Sequence, residues 1–316
     1  MASKKIITVF GATGAQGGGL VRSILNDKNG EFAVRAATRN INSDKAKQLA
    51  ALGAEIIAAD VDDAASVEKA LEGAYGAYFV TFFWDHFSPE IELAQAQTFA
   101  DAAKKAGLQH AIWSTLEDVR EFIPLHDDSM PTIRDKYKVP HFDAKGEADK
   151  FFIEAAVPTT FLYPSFYWEN FIYFGSGPKK GADGKLHLTL PIGDSKMGGI
   201  AAEDIGKSAY GIFKKGKELI GKKVGLAGGQ LTGEEMASEL SKALDQPVRY
   251  NKVPTSVFRG FGFPGADDLA NMFQFYDDFA HHVNTLRDVA KTKQLNPELQ
   301  SFPQWLKENA NKIPLE

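Results

Sequence analysis

The stretch Ile6-Ile-Thr-Val-Phe-Gly-Ala-Thr-Gly-Ala-Gln-Gly17 decides the fold. Five β-favouring residues, Ile6 to Phe10, run without a break into three glycines with two residues between each, and a helix-forming run follows. Strand, glycine turn and helix in that order open a βαβ unit that binds a dinucleotide. Gly11 permits the tight turn, Gly14 lets the backbone approach a pyrophosphate, and Gly17 lets the helix lie close to the strand. Free N–H groups at the helix start, together with the positive end of its dipole, favour an anion there. Thr13, Ala15 and Gln16 lie in the same loop and are expected beside the same phosphates. Gly18 and Gly19 read as packing or flexibility residues.

Outward from this loop, short β-rich runs alternate with longer helical ones, the sequence form of a parallel sheet. The pattern predicts strands over Phe32 to Thr38, Glu55 to Ala59, Ala77 to Phe82, Gln109 to Trp113 and Thr159 to Tyr163. Between them it predicts helices near Lys45 to Leu52, Ser66 to Leu71, Pro89 to Lys105 and Ala144 to Ala155. The expected fold is α/β: an NAD(P)-binding Rossmann fold with a doubly wound parallel sheet over residues 1–163, then a smaller α/β C-terminal domain over 164–316. Beyond Pro164 the rhythm is lost, and segments such as 191–214 are expected to return to the first domain.

The end of strand 2 reads Thr38-Arg39-Asn40, where an NAD site usually places an acidic residue for the ribose hydroxyls. A carboxylate there repels a 2'-phosphate, whereas a guanidinium pairs with it, so Arg39 favours NADP(H), with NAD(H) the weaker ligand. Asp60, with Val61 beside it, is either an acceptor for the adenine amino group or a turn and helix-capping residue. Thr81, Phe82 and Phe83 end strand 4 at the carboxyl edge where ligands bind; the two rings either wall the cofactor or belong to the core. The run Tyr163-Pro-Ser-Phe-Tyr-Trp-Glu-Asn170 brings Tyr163, Pro164, Phe166 and Asn170 toward the nicotinamide end, as a cofactor wall or an inter-domain core.

Dehydrogenases of the short-chain kind use a Tyr-x-x-x-Lys pair on one helix face. Here the helix begins His141-Phe-Asp-Ala-Lys145, so the Lys is present and a histidine stands at the tyrosine position. Lys145 suits the nicotinamide ribose without any chemistry. If the protein is an enzyme, His141 and Lys145 are its catalytic candidates, with Tyr137 an alternative acid provided the helix continues through Pro140.

Composition narrows the alternatives. The 316 residues contain no cysteine, which excludes disulfides, thiolate metal sites and cysteine nucleophiles. A net charge of -5 argues against direct nucleic-acid binding. No apolar run nears the roughly 20 residues of a membrane span, so a cytoplasmic location is expected, with the nucleus left open. His281-His282 do not read as a metal site, and Asp267-Asp268 read as a solvated loop or helix start.

The chain resembles the NmrA-like family, an atypical branch of the short-chain dehydrogenase superfamily, and is similar in particular to the animal NmrA-like redox sensor proteins. The stretches that carry the likeness are Val9 to Gly18, Thr38-Arg-Asn40, His141 to Glu147, Glu169-Asn-Phe171, Leu190 to Asp194 and Gly262 to Phe273. The resemblance implies NADP(H) binding without dehydrogenase turnover and a regulatory role, including transcriptional regulation, through a protein partner that reads the cofactor state. The segment after Arg39, which is basic in the animal sensors, is Asn40 to Asp44 here. The competing expectation is an NADPH-dependent reductase of a quinone, carbonyl or conjugated small molecule. A homodimer is compatible with either.

Overall fold

The computed structural model describes residues 4–315. The first half runs β1 (Lys5–Val9), α1 (Ala15–Asn26), β2 (Phe32–Thr38), α2 (Asp44–Ala51), β3 (Glu55–Ala58), α3 (Ala64–Leu71), β4 (Gly76–Phe79), α4 (Pro89–Ala106), β5 (His110–Ser114), α5 (Pro140–Glu154) and β6 (Thr159–Tyr163). The second half runs β7 (Phe166–Tyr167), α6 (Asn170–Tyr173), β8 (Lys179–Lys180), β9 (Leu186–Leu190), β10 (Met197–Ile200), α7 (Ala202–Lys215), β11 (Lys223–Gly225), β12 (Gly229–Leu231), α8 (Gly233–Leu244), β13 (Val248–Lys252), α9 (Thr255–Arg259), α10 (Ala266–Asp278), α11 (Ala280–Leu286), α12 (Val289–Leu295) and α13 (Phe302–Asn309).

Seven strands form one parallel sheet in the order β11-β6-β5-β4-β1-β2-β3, the doubly wound arrangement expected from the opening repeat. Its strands are apolar at successive positions because both faces are covered. Ile7, Val9, Tyr78, Ile112 and Leu162 pack on one face with α1 and α7. Phe10, Phe79, Trp113 and Phe161 pack on the other with Phe99 of α4 and Phe152 of α5. Strand order reverses between β1 and β4, which opens a crevice at their carboxyl ends.

The second half of the chain divides its residues between two lobes. Helix α7 packs on α1 so closely that a Cβ at Gly19 would lie 2.3 Å from the Glu203 carbonyl oxygen, and one at Gly206 would lie 2.3 Å from that of Gln16. Strand β11 pairs with β6 as the sheet's outer strand. Segment 191–214 is itself shared, since β10 pairs with β7 and β12 in a small sheet while α7 lies on the large one. The smaller lobe adds the sheet β13-β9-β8 and a core of Trp168, Phe171, Leu188, Phe273 and Trp305.

Helix α5 starts at Pro140, four residues before the expected Ala144. Proline suits the first turn of a helix, which has no partner for its N–H. The Asp143 carboxylate accepts the Lys138 and Val139 N–H groups at 2.7 and 3.0 Å, closing the helix entrance. Residues 117–139, between β5 and α5, are pinned to the smaller lobe. Met130 and Val139 enter its core, and Asn271 of α10 donates to the carbonyls of Pro131 and Lys138.

Candidate functional site

The phosphate loop has the geometry its glycines imply. Gly11 stands at φ 65°, in the left-handed region that favours glycine, and its carbonyl accepts the Gly14 N–H at 2.9 Å. A Cβ at Gly17 would sit 2.4 Å from the same carbonyl oxygen, so that position admits no side chain while the turn stays tight. Gly11, Gly14 and Ala15 are exposed and Thr13 is half-buried. The first turn of α1 carries no acidic residue and no side-chain cap. Its positive end is therefore free for an anion, and the loop fits a dinucleotide's pyrophosphate through backbone groups.

Gln16 divides its backbone from its side chain. The amide turns below the loop, donates to the Tyr167 hydroxyl, and accepts from the Tyr78 hydroxyl and from Ser114 Oγ at 3.0 Å. Burial pushes the Tyr78 and Tyr167 phenols well above the usual range, which keeps both as neutral hydrogen-bonding groups. Ser114, at the end of β5, is thus part of the loop's support.

At the neighbouring strand end the Arg39 side chain is 72% exposed and lies 3.4 Å from Asp85 across the crevice mouth. So exposed a pair is weak, and a dianionic phosphate competes well for the guanidinium. Asp60 uses its carboxylate to accept the Asp62 N–H at 3.2 Å, a local turn, and Val61 is half-buried against the sheet's second face.

The opposite end of the crevice is built from buried side chains. Lys145 Nζ donates to Thr81 Oγ1 at 2.6 Å, to the Thr81 carbonyl at 3.3 Å and to the Glu92 carboxylate, while the Thr81 hydroxyl donates to Glu92. Glu92 lies in the first turn of α4 with its side chain wholly buried. Burial alone would raise its pKa, but Lys145, His86 and Thr81 outweigh that and lower it to about 2. His86 Nδ1 accepts the Ser88 N–H at 3.0 Å, and its Nε2 lies 3.4 Å from the second Glu92 oxygen.

His141 sits one helical turn before Lys145. Its Nδ1 is 2.5 Å from Asp268 Oδ1, and its backbone N–H donates to Asp268 Oδ2 at 3.2 Å. The ring lies against Trp84, Phe142 and Phe83, with centroid separations of 4.8, 4.6 and 5.9 Å. Tyr137 falls outside α5, in a turn closed by pairing with Ile133, and its ring faces the Arg120 guanidinium at 5.4 Å. The continuous helix face it would need to join His141 and Lys145 is therefore absent.

The remaining expected residues scatter according to strand alternation. Phe82 is 51% exposed at the crevice edge, while Phe83 turns inward against His141. Tyr163 points to the other face of the sheet and donates to Asp149 at 3.0 Å. Phe166 belongs to the smaller lobe's core, and Asn170, half-buried, opens α6. The Pro164 carbonyl accepts from Arg287 Nε at 2.9 Å, and that buried guanidinium also grips both oxygens of Glu117, riveting the loops after β5 and β6 to the end of α11. Glu92, His86 and Asp268 were not singled out from the sequence. The one signal for Glu92 was an acidic residue in a helix start beside a predicted strand end; Asp268, read as part of a solvated loop or helix start, does lie in the first turn of α10 but is only 4% exposed. Among the described residues no group of three or more His, Asp or Glu is placed to hold a metal ion, and no helix is long and apolar enough to cross a membrane.

Comparison with known proteins gives this geometry a context. The chain is similar to an NmrA-like family domain-containing oxidoreductase of Aspergillus hancockii, 30% identical over 291 residues that cover 86% of this chain and 82% of that protein. Its fold is similar to that of NmrA, a negative transcriptional regulator solved in complex with NADP, with a TM-score of 0.79 and 23% identity over 98% of this chain and 96% of that one. It is also similar in fold to the Citrobacter sp. triphenylmethane reductase complexed with NADP(H), with a TM-score of 0.75 and 19% identity over 96% and 99% of the two chains. The pattern described as the NmrA-like family matches residues 3–306, and with nearly the whole length accounted for in this way the chain belongs to the NmrA-like family.

Proposed function

We propose that this chain binds NADP(H) across the crevice between β1 and β4 and uses it to reduce a conjugated carbonyl or quinone-type compound. The observation that carries this reading is the pairing of His141 with Asp268, one helical turn before Lys145. An imidazole held in this way replaces the phenol of the usual pair as a proton donor. The loop glycines hold the pyrophosphate, Arg39 the 2'-phosphate and Lys145 the nicotinamide ribose. The bound reduced nicotinamide supplies a hydride, and the protein supplies the proton and excludes water. The aromatic side chains at the mouth, Phe82, Trp84 and Phe87, suit a planar conjugated acceptor. Relatives named as oxidoreductases, and a similar fold solved as a reductase with NADP(H), support the same reading. NADPH absorbance followed with a panel of quinones and enones tests it. Turnover that disappears in His141→Ala, with the heat of NADPH binding retained, is expected; no oxidation with any acceptor overturns it.

A second reading, a cofactor-reading regulator, rests on a different observation. The loop of residues 82–88 touches both ends of the crevice, Asp85 pairing with Arg39 and His86 facing Glu92 of the Lys145 cluster. A cofactor that takes up Arg39 and Lys145 together releases both tethers, and a protein partner or a second copy reads the loop's position. Limited proteolysis with and without NADPH examines this, and the same cleavage of residues 82–88 in both states removes it.

A further inference from the structure

We infer that Asp268, on the smaller lobe, is the positioning residue of His141, so that the proton-donating unit is complete only when α10 is docked on α5. The inference rests on the reductase reading above and extends it to a residue outside the nucleotide fold.

The two residues are 127 positions apart in sequence, yet both side chains are more than nine-tenths buried and make two contacts. Each carboxylate oxygen has its own partner, Oδ1 at the ring's Nδ1 and Oδ2 at the backbone N–H of the same histidine. A single bond to the backbone would suffice to pin the helix entrance; the second fixes the ring. With the carboxylate against Nδ1, a proton stays on that nitrogen, and the transferable one is confined to Nε2. Nε2 makes no hydrogen bond among the described residues, so no protein group there competes with an acceptor. The rings of Trp84 and Phe142 restrict the imidazole from rotating away.

The carboxylate lies in the first turn of α10, where the helix dipole favours negative charge. Gly265, at φ 80°, brings the helix start against the loop after β4, and a Cβ there would meet Trp84 at 3.0 Å. The charged groups on the surrounding elements are Asp267 on α10, Asp143 and Lys145 on α5, and Asp85 and His86 beyond the Phe83 and Trp84 rings. Beside these, Asp268 is the one that pairs with the imidazole among the described residues. In turnover the acceptor's C=O π bond would break as the Nε2 proton joined oxygen and a hydride, which bound NADPH would supply on becoming NADP+, joined carbon; the neutral ring would then regain its proton from solvent.

The test pairs Asp268→Asn, close to the native shape, with Asp268→Glu, which keeps the charge but moves it. The histidine ring nitrogens are read by ¹⁵N NMR in the cofactor-free full chain. The expected native signal is the tautomer with hydrogen on Nδ1, and the Asn variant is expected to lose that preference. In NADPH-driven reduction the Asn variant is expected to lose kcat by about 100-fold or more, with KM for NADPH unchanged within about threefold. The Glu variant is expected between it and the native chain. In a His141→Ala background Asp268→Asn should have no further effect on kcat. A ring signal unchanged in Asp268→Asn reduces Asp268 to a backbone pin and overturns the inference. If the native chain turns over no acceptor, the reductase reading falls, while the NMR signature still decides whether Asp268 governs the ring.

Discussion

The two ends of the crevice are made of different materials. At the loop end the exposed groups are backbone amides of a turn, and Arg39 nearby stands largely in solvent. At the Lys145 end the groups are side chains from the loop after β4 and from α4, α5 and α10, and Glu92 is held ionised by a lysine against the penalty of burial. A backbone site tolerates change in its surroundings but no atom added to its own turn. A side-chain site of this kind couples recognition to stability, because each charge depends on its partner.

The largest expected effect lies at the buried end. Lys145→Met leaves the Glu92 carboxylate uncompensated and is expected to remove about 3–5 kcal/mol from the unfolding free energy in urea. Adding Glu92→Gln should recover a good part, and independent, additive losses would break the contrast. The same pair sets an acid limb. Because the folded protein holds Glu92 at about 2 against an ordinary 4.5, its contribution is present above pH 4.5 and lost as pH falls toward 2. Urea midpoints measured across that interval should fall more steeply in the native chain than in Glu92→Gln. At the open end, Gly17→Ala forces a methyl group to 2.4 Å from the Gly11 carbonyl, and calorimetry should show NADPH affinity weakened by about 100-fold, or ~2.7 kcal/mol. Arg39→Asp should weaken NADPH by about 30-fold, ~2 kcal/mol, and leave NADH unchanged; equal losses for both would show that the guanidinium does not read the 2'-phosphate. Asp85→Ala is the mildest, with stability within about 0.5 kcal/mol of native and NADPH bound slightly more tightly. Weaker binding in that variant would mean that Asp85 helps rather than competes.

The same division explains what could be read in advance. Backbone-built features leave local marks: the glycine spacing announced the turn, and strands β2 and β6 lie where their β-rich runs placed them. Arg39 and Lys145 were singled out because each stands at a fixed offset from such a mark. Side-chain partnerships formed across the fold leave none. In α4 the apolar Ile91 is 41% exposed while Glu92 beside it is wholly enclosed, because this end of the helix packs over the polar crevice. Asp268 looked like an ordinary helix-start acid, and nothing within its own segment indicates the histidine waiting 127 residues earlier. Tyr163 was drawn toward the cofactor by its aromatic neighbourhood, whereas strand alternation turned it to Asp149.

The late return of α7 and β11 to the large sheet has a practical consequence for anyone wishing to isolate the nucleotide fold. A fragment ending after β6 would bare the hydrogen-bonding edge that β11 covers and the glycine-floored channel on α1 that α7 fills. Such an edge invites other chains to add to it, so the truncated piece should precipitate instead of behaving as a portable binding module, and a workable excision would have to stitch residues 202–225 back on through a new connection.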